Sequence, residues 1–236
     1  MTIVPTEKSI DLENWPRRSQ YNLFKDFSSP HVSITARVDV TGIMRAKQNQ
    51  AIAPFNAMLF CIMSAINAVP ELRTRFRNLK NGEQGVIEHS LVHPSVTVPI
   101  EDDRFAFCEI TYDPSWTEFN QNCEEAIAAG KAQVKLTENT VDTDHWVFMS
   151  CLPWLDFTEL KHPLKGPEDC VPRLAWGKFT PSLNGEATEG NGHDNTWPDR
   201  TWKTPVNLTA HHALVDGLHI AQFFKKLEQA TQEFTK

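Results

Sequence analysis

His211-His212-Ala213-Leu214-Val215-Asp216-Gly217-Leu218-His219 gathers three imidazoles and a carboxylate into nine residues. Val206–Ala210, just upstream, predicts a strand. Gly217–Phe234, just downstream, predicts an amphipathic helix with Leu218, Phe223, Phe224 and Leu227 on its inner face. A loop between a strand and a helix is held rigidly and still reaches a cleft. Side chains of neighbouring strand residues point to opposite faces, so one of His211 and His212 faces in and the other out. Asp216-Gly217 predicts a turn, with Gly217 free to take a positive φ and the carboxylate ordering the helix start. Three readings of the cluster compete. A histidine is a natural general base toward a hydroxyl or thiol, because an unperturbed imidazole titrates at ~6.5. His211, His212, Asp216 and His219 are also ordinary metal ligands. The third reading is structural histidines without chemistry.

Working outward, Val32–Val40 alternates apolar and polar side chains and predicts a half-buried strand. Phe55–Ala68 has helical apolar spacing and stops at Pro70. Leu91–Ile100 and Arg104–Thr111 predict two strands joined by Glu101-Asp102-Asp103. Asp113 or Ser115 caps a polar helix through Glu118–Val134. Trp146–Leu152 and Leu174–Thr180 predict strands. Pro181–Pro198, with Asn184-Gly185 and Gly190-Asn191-Gly192, predicts a long exposed hairpin loop. Strands and helices interleave without a strict βαβ rhythm. The expected fold is a single α+β domain over 1–236, a two-layer sandwich on a mixed, largely antiparallel sheet.

The chain has 236 residues, 40 % of them hydrophobic, enough for a substantial core. Its formal charge of −7 argues against a nucleic-acid partner. The seven Trp and fourteen Phe argue against disorder. Five scattered cysteines without a CxxC pair argue against a disulfide framework or a Cys-based zinc site. The N-terminus has no basic start followed by an apolar run, and Ala57–Val69 is shorter than the ~20 residues a bilayer needs. A cytoplasmic protein without membrane attachment is expected.

HHALVDGLH resembles the HHxxxDGxH signature of the chloramphenicol acetyltransferases. A related HxxxDG occurs in dihydrolipoyl acyltransferases and condensation domains. Other segments resemble the family in the family's order. They are Asn14-Trp15-Pro16-Arg17-Arg18 (W-x-R), Ala65–Arg73 (a helix ending in E-L-R), Ser150-Cys151-Leu152-Pro153-Trp154 (S-x-x-P-W) and Gly177-Lys178-Phe179 (x-K-[YF]). Several motifs in order are far more specific than one.

The resemblance implies acetyl transfer from acetyl-CoA to a hydroxyl of chloramphenicol, giving antibiotic resistance, without a metal. It implies that His212 is the general base and that Ser150 stabilises the tetrahedral intermediate. Asp216 would pair with Arg17 to support the loop, and His211 would pack or make a hydrogen bond. Trp154, Lys178 and Phe179 would flank the coenzyme. Leu23, Phe24, Pro30, Phe105, Phe107, Leu160 and Leu164 would line the acceptor pocket. A homotrimer is implied, with His212 from one subunit meeting Ser150 of its neighbour.

The sequence also departs from the family. Phe107 is bulky where family members are usually small, and His162 stands where an aliphatic residue is common. Ala175 replaces a frequent threonine, and Pro54 falls where some members have a coenzyme-contacting lysine. The competing functions are acyl transfer to another small hydroxyl compound, a metal-dependent hydrolase, and a non-catalytic binder.

Overall fold

The computed structural model describes residues 5–78, 82, 84–133, 136, 144–183 and 200–234. Its central sheet is built from β2 (His31–Asp39), β5 (His93–Pro99), β6 (Phe105–Glu109), β7 (Trp146–Cys151), β8 (Arg173–Trp176), β9 (Thr180–Leu183) and β10 (Arg200–His211). The strand order is β2-β10-β8-β7-β5-β6, with β9 on the flank of β10. β5/β7 and β7/β8 run parallel and the remaining pairs antiparallel, so the sheet is mixed and largely antiparallel. The α+β sandwich is as expected.

One face of this sheet carries the core. Val206, Leu208 and Ala210 of β10 are buried with Met58, Ile62 and Ile66 of α3 (Pro54–Asn67) and Phe223 and Leu227 of α5 (Gly217–Gln232). Leu218, expected inside, is 65 % exposed. It precedes Leu227 by nine residues, which at 100° per residue places it half a turn round the helix. His219, four residues before Phe223, takes the inward position and is buried. α4 (Trp116–Lys131) starts after Ser115, whose own N–H donates to Asp113 Oδ1 at 2.7 Å while its side chain makes no capping bond. Asp102 and Asp103 both have positive φ and make the tight β5–β6 turn.

α1 (Arg18–Phe24), which carries Tyr21 and Phe24, precedes β2. α2 (Thr41–Gln50), which follows it, escaped the sequence pattern, as did β1 (Glu7–Ser9), β4 (Gln84–His89) and β3 (Thr74–Asn78), which form a separate antiparallel sheet in that order. Arg75 of β3 is fully buried. Its guanidinium donates to the carbonyls of Leu72, Thr74, Asp144 and Trp146 at 2.7–3.1 Å. β9 pairs with Arg200–Lys203, so the ends of the expected hairpin meet; residues 184–199 lie outside the described residues.

The second sheet face is covered by the irregular segment 152–172. Pro167 O accepts from His211, Asp169 O lies 2.6 Å from His31 Nε2, Leu160 O accepts from Ser33, and His162 bonds Asn207. This face holds the candidate site.

Candidate active site

His211 and His212 diverge as strand geometry requires. His211, 1 % exposed, donates from Nε2 to Pro167 O at 2.9 Å, and its Nδ1 accepts from Ala213 N at 3.2 Å. Burial, with His31 beside it, pushes this imidazole down to about 4. Both nitrogens are committed, so His211 is a structural residue. His212 is half-buried. Its N–H donates to Pro30 O at 2.8 Å, and its Nδ1 lies 3.0 Å from Val215 O. A carbonyl only accepts, so Nδ1 carries the proton and Nε2 is left with its lone pair. The ring stacks on Phe24, with centroids 4.0 Å and planes 14° apart.

The turn below is tied from three sides. Asp216 caps α5 by accepting from Leu218 N at 3.0 Å, and its own N–H donates to His219 Nδ1 at 3.1 Å. His219 Nδ1 also lies 3.0 Å from Asp216 Oδ1, and its Nε2 lies 3.5 Å from Glu71 Oε1. Arg17 ion-pairs with Asp216 and reaches His212 O at 3.5 Å. Burial opposes the Asp216 charge, but Arg17, His219 and the Leu218 N–H outweigh it and hold the carboxyl below its ordinary value. Gly217 does not take the positive φ expected of it; Asp216 is the cap and Gly217 the first helical residue.

A second cluster lies across the sheet. The registers align Phe107, Thr97, Ser150, Ala175, Asn207 and Thr35 in one transverse row over six strands. Directly paired residues share a face, so Ser150 stands between Thr97 and Ala175. Thr97 Oγ1 donates to Ser150 Oγ at 3.4 Å, which leaves the serine proton free for another acceptor. Phe107 packs edge-on against Phe105, their centroids 5.4 Å apart. Leu160 is anchored to this face through Ser33, and Leu160 and Leu164 are half-buried in the covering segment. Thr97 and Asn207 escaped the sequence reading because nothing in their local pattern marks them; only the register does.

His212 and Ser150 do not meet within one chain. Ser150 is level with Asn207, two strands away, and His212 lies five residues beyond Asn207. At ~3.3 Å per residue and ~4.8 Å per strand, the two are separated by well over 10 Å. Phe24 and Pro30 touch His212, and Leu23 is the exposed neighbour of Phe24 in α1. Phe105, Phe107, Leu160 and Leu164 belong to the Ser150 face.

Trp154, Lys178 and Phe179 are held near one another by a backbone clasp. Lys178 N donates to Leu155 O at 2.7 Å. Gly177 permits the close approach, since a Cβ there would lie 2.5 Å from that same oxygen. Trp154 is 71 % exposed, Lys178 is exposed, and Phe179 packs against the core edge. The exposed indole and ammonium form an open, partly apolar surface suited to a flexible anionic ligand.

His211, His212, Asp216 and His219 do not converge as a ligand set. Among the described residues, the group whose donor atoms lie within 4.8 Å of one another is Glu7, His89 and Asp144, on the small sheet. There Arg77 already pairs with both carboxylates. No helix of the described residues is long and apolar enough to cross a membrane.

The fold is that of the CoA-dependent acyltransferases. A probable dihydrolipoamide acetyltransferase from Listeria monocytogenes superposes with a TM-score of 0.62 at 16 % identity, over 93 % of this chain and 91 % of the other. A solved chloramphenicol acetyltransferase superposes with a TM-score of 0.72 at 24 % identity, over 97 % of this chain and all of the other. The sequence profile of the chloramphenicol acetyltransferase family matches residues 6–185, and the chain belongs to that family. Its relatives include chloramphenicol acetyltransferase 2 of Escherichia coli, 27 % identical, and chloramphenicol acetyltransferase 3 of Escherichia coli, 24 % identical. Each match covers 93 % of this chain and 94 % of the relative.

Proposed function

We propose that the protein transfers the acetyl group of acetyl-CoA to the primary hydroxyl of chloramphenicol, and so confers resistance to it. The observation that carries this reading is the His212 imidazole, with Nδ1–H spent on Val215 O and Nε2 available as a base. Nε2 takes the proton of the acceptor hydroxyl as its oxygen attacks the thioester carbonyl. The oxyanion that forms accepts a hydrogen bond from Ser150 Oγ, whose own lone pair is engaged by Thr97. Collapse expels the coenzyme thiolate, which takes the proton back from the His212 imidazolium. Both substrates are bound together, so no acyl-enzyme forms. Trp154, Lys178 and Phe179 hold the coenzyme.

Because His212 and Ser150 lie apart within one chain, the reading requires a neighbouring subunit. A homotrimer places His212, Phe24 and Pro30 of one subunit over the Ser150 face of the next. Leu23, 58 % exposed, and Phe105, 47 % exposed, would be covered there. We place the trimer in the cytoplasm, where acetyl-CoA is available.

A thiol-release assay with acetyl-CoA and chloramphenicol tests the reading, run on the wild type, His212→Ala and His211→Ala, with and without a chelator. Chloramphenicol-dependent release is expected from the wild type and from folded His211→Ala, indifferent to chelator. It should fall at least 10²-fold in His212→Ala. Near wild-type turnover in His212→Ala would sink the mechanism. A loss restored by metal would favour a hydrolase.

A further inference from the structure

His162 stands in the segment that covers the Ser150 face, between Leu160 and Leu164. Its Nε2 lies 3.1 Å from Asn207 Oδ1. The Asn207 amide is oriented by its Nδ2, which donates to Ser33 Oγ at 2.9 Å and Thr35 Oγ1 at 3.0 Å. Thr209 Oγ1 donates to Oδ1 at 3.3 Å. Oδ1 is therefore the accepting end, and Nε2 of His162 carries the proton. In a neutral imidazole Nδ1 is then an acceptor. Nδ1 has no hydrogen-bond partner among the described residues and is not one of the sealed, unpartnered buried atoms. Burial and the nearby Arg173 guanidinium push the group down to about 4, which keeps it neutral at physiological pH.

Asn207 is two strands from Ser150 in the same row, ~10 Å away, within the span of an aryl-bearing acceptor. Resting on the reading above, we propose that His162 is a specificity residue whose Nδ1 accepts a hydrogen bond from a second hydroxyl of the acceptor, so that the pocket selects diols over mono-alcohols. An aliphatic residue at this position has no such preference. Asn207, Ser33 and Thr35 are positioning residues that fix the tautomer.

The test compares chloramphenicol, a 1,3-diol, with its analogue lacking the secondary hydroxyl. In the wild type, kcat/KM should favour the diol about tenfold, because the analogue leaves a desolvated acceptor unpaired. In His162→Leu the ratio should approach one, mainly through a higher KM for chloramphenicol. In His162→Gln, which also offers an accepting oxygen, part of the preference should return. In the wild type with 15N-labelled histidine, the Nδ1 resonance of His162 should shift on binding chloramphenicol and not on binding the analogue. An unchanged ratio in folded His162→Leu, or an Nδ1 resonance equally affected by both compounds, would overturn the proposal and leave the acetyl-transfer reading intact. A wild type that acetylates neither compound would overturn the acceptor assignment first and this proposal with it.

Discussion

Arg17 and Asp216, 199 residues apart in sequence, form an ion pair directly beneath the carbonyl of His212. The pair joins the start of α1 to the cap of α5, so the orientation of the His212 ring depends on a contact between the two ends of the chain. The side chains are 11 % and 30 % exposed, which makes the pair more than a solvated surface bridge.

Asp216→Asn and Arg17→Ala should therefore lower the melting temperature and activity together. Removing one partner leaves a partly desolvated charge, and Asp216 also caps α5, so ~1–3 kcal/mol of stability is at stake in each. Asp216→Asn keeps capping ability and should be the milder. Thermal denaturation alongside pH–rate profiles checks this. Lost activity at unchanged stability, with one ionisation missing from the profile, would point to proton transfer by Asp216 instead.

His211 predicts a stability slope on the acid side of neutrality. Its folded-state value is depressed to about 4, below that of an exposed histidine, so between ~6.5 and 4 the unfolded chain binds more protons than the folded one. Stability is full above this window and falls as pH falls through it. The stability lost across the window is on the order of 3 kcal/mol. The groups around the ring are His31, Asp169 and His212, with Phe76 edge-on at 4.7 Å. The drop in melting temperature between pH 7.5 and 5 should be smaller in His211→Gln than in the wild type; equal drops would refute the assignment.

Much of the framework was legible before the structure. The strand–loop–helix unit around His211–His219 carries both its periodicity and its motif, and Phe55–Ala68 and Val32–Val40 have unbroken patterns. β3 was not legible, because Thr74-Arg75-Phe76-Arg77 places a guanidinium inside, where two of its four accepting carbonyls, Asp144 O and Trp146 O, are distant in sequence. The misplacement of Leu218 came from ranking hydrophobicity above phase. In the sequence, motif order singles out His212, Ser150 and Asp216. Thr97, Asn207 and the His162 contact arise from strand register and a covering loop, and local sequence encodes neither.

Ser150→Ala should lower kcat by 10²–10³-fold with little change in the KM for either substrate, since its hydrogen bond forms only as charge develops. Steady-state kinetics with both substrates varied checks this. A rise in KM at constant kcat would make Ser150 a ground-state binding residue.

Phe107 shares the sheet row of Ser150, and in the proposed reading its ring takes up space in the acceptor pocket. Overpacking costs ~1–3 kcal/mol, and each 1.4 kcal/mol is about tenfold in affinity. Phe107→Ala should thus lower the apparent KM for chloramphenicol and leave that for acetyl-CoA nearly unchanged. Polar changes at Leu160 or Leu164 should raise it. An increase in KM on truncating Phe107 would show that the ring is a wall the acceptor leans on.

In the proposed trimer, His212 of one subunit serves Ser150 of the next. Co-expressing His212→Ala and Ser150→Ala chains with different affinity tags, and isolating assemblies that carry both tags, separates the two residues onto different chains. In a cyclic trimer of mixed composition, one site of three combines an intact His212 with an intact Ser150, so about one third of wild-type turnover should return. Hybrids as inactive as the two parent mutants would rule out a site shared between subunits.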